Sequence, residues 1–150
     1  MSERVVTNPS KEAEDAVGTI LREARTIAVV GLSAKPDRDS FRVACYLQEH
    51  GYRIVPVNPG LEKVLGERCY PDLLAIPAEL TVDVANVFRR GEHVPEVVDQ
   101  AIARGAKAIW LQLGIAHAAA VAKARAAGIA VVENRCIMVE HARRQEFPET

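Results

Sequence analysis

The chain has 150 residues, 49% of them apolar and 26% charged, which is enough to bury the core of one soluble domain. Its formal net charge of -1 supplies no basic field for wrapping nucleic acid. No apolar run approaches the roughly 20 residues that a membrane-spanning helix needs.

The first expected element is an amphipathic helix in "NPSKEAEDAVGTILREA", about residues 10–24, with Ser10 as its cap and an acidic first turn. Ala16, Val17, Ile20, Leu21 and Ala24 form its apolar stripe. "TIAVVG" (26–31) reads as a strand, and "SFRVACYLQEHG" as a helix. That helix turns Phe41, Ala44, Cys45 and Leu47 toward one face and stops at Gly51. "YRIVPVN" (52–58) reads as a strand, and "ERCY" (67–70), closed by Pro71, as a short edge strand. "VDVANVF" (82–88) is the next strand. "VPEVVDQAIARG" follows as a helix, with Val94, Val97, Val98, Ala101 and Ile102 in one stripe, Pro95 in its first turn and Gly105 at its end. "AKAIWLQ" (106–112) is a strand, and "AHAAAVAKARAAG" an alanine-rich helix ending at Gly128. "GIAVVEN" (128–134) is the last strand, followed by a short helix over 137–144 and a polar tail from about 145.

The strands are short, rich in Val and Ile, and almost continuously apolar, as in a parallel sheet covered on both faces. Their alternation with helices predicts an α/β fold: a Rossmann-like, doubly wound parallel sheet in three αβα layers, forming a single domain over 1–150. No internal repeat or linker interrupts it. The start, "MSERVVTNPSKEAED", lacks an apolar signal core and is acidic for a transit peptide, so a cytoplasmic location is expected.

In such a sheet, ligands bind beyond the carboxyl ends of the strands, near the switch point in strand order. The segments this rule selects are 31–40, 58–60, 88–91, 112–115 and 134–136. In the first, Gly31 permits a sharp turn, Ser33 offers a hydroxyl, and Lys35 and Arg38 offer charge. Ser40 is read as the cap of the next helix, whose free amides then face outward and suit a phosphate. A solvated loop with an ordinary serine cap is the plainer alternative. The dinucleotide fingerprint G-x-G-x-x-G is absent, since Ser33 and Pro36 replace its later glycines. The second strand also ends in Asn58 and Pro59 without the acid that holds a ribose. A dinucleotide dehydrogenase is therefore disfavoured.

Arg89 and Arg90 stand at the end of the third main strand, where an arginine can meet a phosphate and Phe88 or Val87 can flank a base. The alternative is a solvated corner. Trp110 is expected in the core, and Gln112 and Gly114 at the end of its strand suit a polar ligand or a plain turn. Cys45, Cys69 and Cys136 form neither a disulfide framework nor a C-x-x-C pair, and the four histidines form no H-E-x-x-H, so no metal site is expected. His93 and His117 read as caps or surface residues, and Glu133 is a single carboxylate. Arg135 beside Cys136 is a cation able to activate a thiol. No nucleophile–base–acid set is assembled from these residues, so no catalytic residue is assigned.

Taken together, "IAVVGLSAKPDRDSFRVACYLQEHGYRIVPVNP", "VLGERCYPDL", "VDVANVFRR", "GAKAIWLQLGI" and "AGIAVVENRCI" resemble the small stand-alone CoA-binding domain family. The fold of that family is that of the CoA-binding domain of the succinyl-CoA synthetase alpha subunit. The resemblance covers roughly residues 20–142. It implies a phosphate-cradling loop at Gly31, Ser33, Ala34, Lys35 and Pro36, with Arg38 and Ser40 beside it. It places Asn58 and Pro59 at the adenosine, with Phe88 and Arg89 opposite. Leu111, Gln112, Leu113 and Gly114 match the pantetheine side, and Asn134 and Arg135 the last edge. The synthetase's second domain, with its phosphorylated histidine, has no counterpart in the matching stretches, and Leu113 stands where the synthetase has an acid. The implied cofactor is coenzyme A or an acyl-CoA, bound as a small-molecule ligand by a module without catalysis of its own. The alternatives are an enzyme of acyl-CoA or CoA-thiol chemistry using Cys136 or His117, a different nucleotide-binding module, or an interaction domain. No nucleic acid or membrane partner is implied, and a protein partner or homo-oligomer is not readable from the sequence.

Overall fold

The structure is a computed structural model that describes residues 9–146. Five parallel strands form the sheet: β1 (Thr26–Val30), β2 (Arg53–Val57), β5 (Val84–Val87), β6 (Ala108–Leu111) and β7 (Ala130–Val132). Their spatial order is β2-β1-β5-β6-β7, so the switch point lies between β1 and β5. A two-stranded antiparallel hairpin, β3 (Lys63–Val64) and β4 (Glu67–Arg68), stands apart from it. The predicted edge strand over 67–70 is thus only partly realised. Its first half pairs within the hairpin, and Tyr70 alone bridges Val57 in the main sheet. Since β2 is an edge strand and contains Pro56, this bridge covers part of an edge that another chain could otherwise pair with.

Side chains alternate across the pleat and divide the core in two. Val30, Val57, Ala85, Val87, Ile109 and Leu111 pack under α3 (Val94–Arg104) and α4 (Ala118–Ala126). Val29, Ile54, Val84, Trp110 and Val132 pack under α1 (Pro9–Glu23), α2 (Asp39–Glu49) and α5 (Ile137–Glu146). This is the predicted three-layer α/β arrangement. Trp110 is fully buried, as expected, and its indole N–H donates to the Arg135 carbonyl at 2.8 Å. Among the described residues no helix is long and apolar enough to cross a membrane.

The helix ends follow local chemistry. Gly105 closes α3 in the left-handed conformation at φ +69°, and Pro95 sits in its first turn. His117 caps α4, its Nδ1 accepting the Ala120 amide at 3.0 Å. Ser10 falls inside α1, and its side chain lies outside the described residues. The expected tail begins inside α5, which runs to Glu146, and residues 147–150 lie outside the described residues. Glu14 of α1 anchors α5 through Arg135, Arg143 and Arg144, at 2.5, 2.8 and 2.8 Å. The hydrogen bond and charge of Arg135, outweighing desolvation, hold the Glu14 carboxyl below its usual range.

Gly91, in a 3₁₀ turn over Gly91–His93, packs against the loop before α4: a Cβ here would lie 2.5 Å from the Ala116 carbonyl oxygen. Backbone cannot yield as a side chain can, so Gly91→Ala is expected to lower stability by about 1–3 kcal/mol through overpacking. A thermal melt checks it, and an unchanged midpoint would show that the turn moves freely.

Candidate functional site at the carboxyl edge of the sheet

Three clefts lie at the carboxyl ends of the strands, around the boundary between β1 and β5. The first, about 430 Å³, is lined by Gly31, Ser33, Lys35, Arg38, Asp39, Ser40 and Phe88. The second, about 370 Å³, lies on the α3 side, among Pro59, Asp72, Arg89, Glu96 and Gln100. The third, about 360 Å³, opens between α2 and α5, with walls from Val43, Phe88, Ile115 and Met138. Phe88 and Asp39 line both the first and the third, which makes these two neighbours.

The loop after β1 is built from its own hydrogen bonds. Gly31 turns the chain at φ +88°, and its amide donates to the Val57 carbonyl at 2.8 Å. A Cβ here would lie 3.1 Å from the Phe88 carbonyl oxygen and 3.3 Å from Arg89 Cδ. Gly31→Ala combines left-handed strain with this crowding and is expected to destabilise the fold by about 1–3 kcal/mol. Comparison of urea midpoints is the measurement, and equal midpoints would remove the glycine requirement.

Ser40 does not cap α2. The cap position is Arg38, whose backbone is extended and whose side chain makes no capping bond. Ser40 lies one residue inside the helix, buried, and its Oγ accepts the Ser33 amide at 3.0 Å. The Ser33 Oγ in turn accepts the Lys35 amide at 3.1 Å. Each hydroxyl spends a lone pair on the loop and keeps its proton to donate. The first turn of α2 has no side-chain cap, so its amides remain available.

The cations separate into two groups. Arg42 pairs with Asp39, and Arg90 lies 4.0 Å from Glu92. Lys35, Arg38 and Arg89 have no ion-pair partner among the described residues. Phe88 and Arg89 serve opposite faces of the sheet, Phe88 the first and third clefts and Arg89 the second, beside Pro59.

Other expected site residues are braces. The Asn58 amide donates to the Leu32 carbonyl at 3.0 Å while its oxygen accepts the Gly60 amide at 3.0 Å. Asn134, left-handed at φ +54°, accepts the Gly114 amide at 3.1 Å. Neither asparagine, nor Gly114, Ala34 or Pro36, lines any of the three clefts. Leu111 is wholly in the core. Arg135 is held by Glu14 and Glu140, each at 2.5 Å, so its charge is not at the disposal of Cys136. Glu133 pairs with Arg125 at 3.3 Å.

Some residues of the edge carried no sequence signal. Asp72 reaches the second cleft from the loop after β4, and Glu96 and Gln100 reach it from one face of α3. Asn86, fully buried in β5, donates to Gln112 Oε1 at 3.0 Å, and that oxygen also accepts the Ile137 amide at 3.0 Å. A polar residue inside an apolar strand was the available hint. A smaller cavity, about 210 Å³, lies at the opposite edge of the sheet, where Asp83 and Lys107 already face each other at 3.3 Å.

A family model described as a CoA binding domain matches residues 25–142, which include every strand and all three clefts. This chain belongs to the CoA-binding domain family. The chain is 39% identical over 135 residues to the uncharacterized protein YneT of Bacillus subtilis, covering 90% of this chain and 96% of that one. A solved structure, a hypothetical protein from Pyrococcus horikoshii, superposes with a TM-score of 0.85 at 41% identity, covering 95% of this chain and 98% of that one. A third relative, an ADP-forming acetate–CoA ligase of Archaeoglobus fulgidus, is 35% identical over 85 residues. The match takes in 55% of this chain but only 12% of the ligase.

Proposed function

We propose that this chain binds coenzyme A or an acyl-CoA along the carboxyl edge of its sheet, as a binding or regulatory module without catalysis of its own. The observation that carries the reading is the placement of Lys35, Arg38 and Arg89, without ion-pair partners among the described residues, on both sides of the switch point. The pyrophosphate takes the first cleft, where two hydroxyls, the open helix amides and two cations converge. The 3′-phosphoadenosine takes the second, with Arg89 on the phosphate and Pro59 against the base. The pantetheine arm takes the third, whose walls are mainly apolar.

Two groups that the sequence offers for acid–base chemistry have other work. His117 caps a helix and Glu133 holds Arg125. Their engagement supports a binding role over a catalytic one. Calorimetry with CoA, dephospho-CoA and NAD tests the reading. CoA is expected to bind, dephospho-CoA about tenfold more weakly through loss of one charge-assisted contact, and NAD more weakly still. Equal or absent binding of all three would overturn the assignment. Turnover of acyl-CoA thioesters by the isolated protein would overturn the non-catalytic part.

A further inference from the structure

We infer that Cys136 is an exchange site for the ligand's own sulfur: it attacks a CoA disulfide bound along the sheet edge and retains one CoA as a mixed disulfide. This rests on the CoA reading above and adds a covalent step to it.

Two independent features of the third cleft point the same way. The first is the thiol. Cys136 is free, half-buried and part of the cleft lining. Its carbonyl accepts the Glu140 amide at 3.0 Å, which fixes the residue at the start of α5. The second is Gln112, 6% exposed and lining the same cleft. Its Oε1 is taken by Asn86 and by the amide of Ile137, the residue after Cys136. Its Nε2 has no hydrogen-bond partner among the described residues, so the side chain presents a donor to the cleft. That donor is open to the cleft rather than sealed in the core, and the amide carbonyls of a pantetheine arm are acceptors of the right kind. Donor and thiol line the same cleft, which adjoins the first at Phe88.

The other thiols are poorly placed. Cys45 lies on α2, its Sγ 3.5 Å from Glu49 Oε1, and burial together with that carboxylate pushes its thiol up. Cys69 is buried, donates to the Asn58 carbonyl at 3.4 Å, and is likewise pushed up by burial. Neither lines any of the three clefts. Thiolate is the nucleophile in exchange, so both are disfavoured.

The step balances without a further oxidant. Cys136 gives its proton to solvent, and its sulfur attacks one sulfur of CoA–S–S–CoA. A new S–S bond forms as the old one breaks, and the electron pair leaves on the second CoA, which is protonated to CoA thiol. Excess thiol runs the exchange backward.

The test uses the full, reduced chain with CoA disulfide and, separately, with hydroxyethyl disulfide, read by intact mass and peptide mapping. Calorimetry of the same protein with reduced CoA runs alongside. One CoA per chain is expected, on Cys136, reversed by dithiothreitol and abolished in Cys136→Ser. Because the bound disulfide is held at high effective concentration, its reaction is expected to outpace that of hydroxyethyl disulfide by about tenfold or more. In Lys35→Ala plus Arg89→Ala that advantage should vanish. Binding of reduced CoA with no adduct, with an adduct on Cys45 or Cys69, or with equal rates for both disulfides overturns this inference and leaves the binding reading standing. Failure to bind CoA at all overturns both.

Discussion

Replacing Lys35 and Arg89 together with alanine is expected to weaken CoA binding by about a hundredfold, while either change alone costs about tenfold. Lys35 is exposed in the first cleft and Arg89 half-buried in the second, so in the proposed binding mode the two would meet different phosphates of one ligand. Separate partners make their effects close to additive. Neither has an ion-pair partner among the described residues, so removing it takes nothing from an existing bridge. Arg42→Ala is the matched control: its guanidinium already pairs with Asp39, and a much smaller loss is expected. Added salt should erode wild-type affinity more steeply than that of the double variant, since fewer charges remain to be screened. Calorimetry at two ionic strengths reads all of this, and wild-type affinity in the double variant would remove the cations from the site.

The strands were legible because short Val- and Ile-rich runs bounded by turn residues have few other ways to bury themselves. The loop after β1 was legible for the same reason: a lone glycine followed by cations has a limited set of uses. Polar residues at strand ends misled more. Asn58 and Asn134 look like ligand groups, but a short amide is also the natural partner for loop backbone, and here both serve it. Ser40 looks like a cap because serine near a helix start usually is one. The helix begins two residues earlier than that reading requires, at Asp39, which turns Ser40 inward to the Ser33 amide. The resemblance sets Phe88 and Arg89 together opposite the adenosine, whereas the pleat sends these neighbours to opposite faces. What remained out of reach depends on distance in sequence: nothing local tells Asp83 that its partners are Arg25 and Thr26.

That same aspartate should produce the largest loss of stability from a single polar substitution. Its Oδ2 accepts the amides of Arg25 and Thr26 at 2.8 and 2.9 Å, fixing the start of β1 to the start of β5. Lys107 Nζ lies 3.3 Å from the other oxygen, but it is largely exposed and adds less. Asp83→Ala leaves both amides without an acceptor and is expected to cost about 2–4 kcal/mol. Asp83→Asn keeps an oxygen for the amides and loses only the charge, so about 1 kcal/mol is expected. The pH dependence separates the two effects. Burial by itself raises the Asp83 carboxyl, but the Thr26 and Arg25 amides and Lys107 outweigh it and hold the group below its usual range. A carboxyl depressed by folding stabilises fully above its unfolded pKa of about 3.9, and that contribution disappears as pH falls through the lower native value. The gap between wild type and Asp83→Asn should therefore stay level from neutral pH down to about pH 5 and close below about pH 4. Melts of wild type and both variants across that range are the measurement. A gap of constant size would mean that the charge contributes nothing and that the two amides alone account for the role of Asp83.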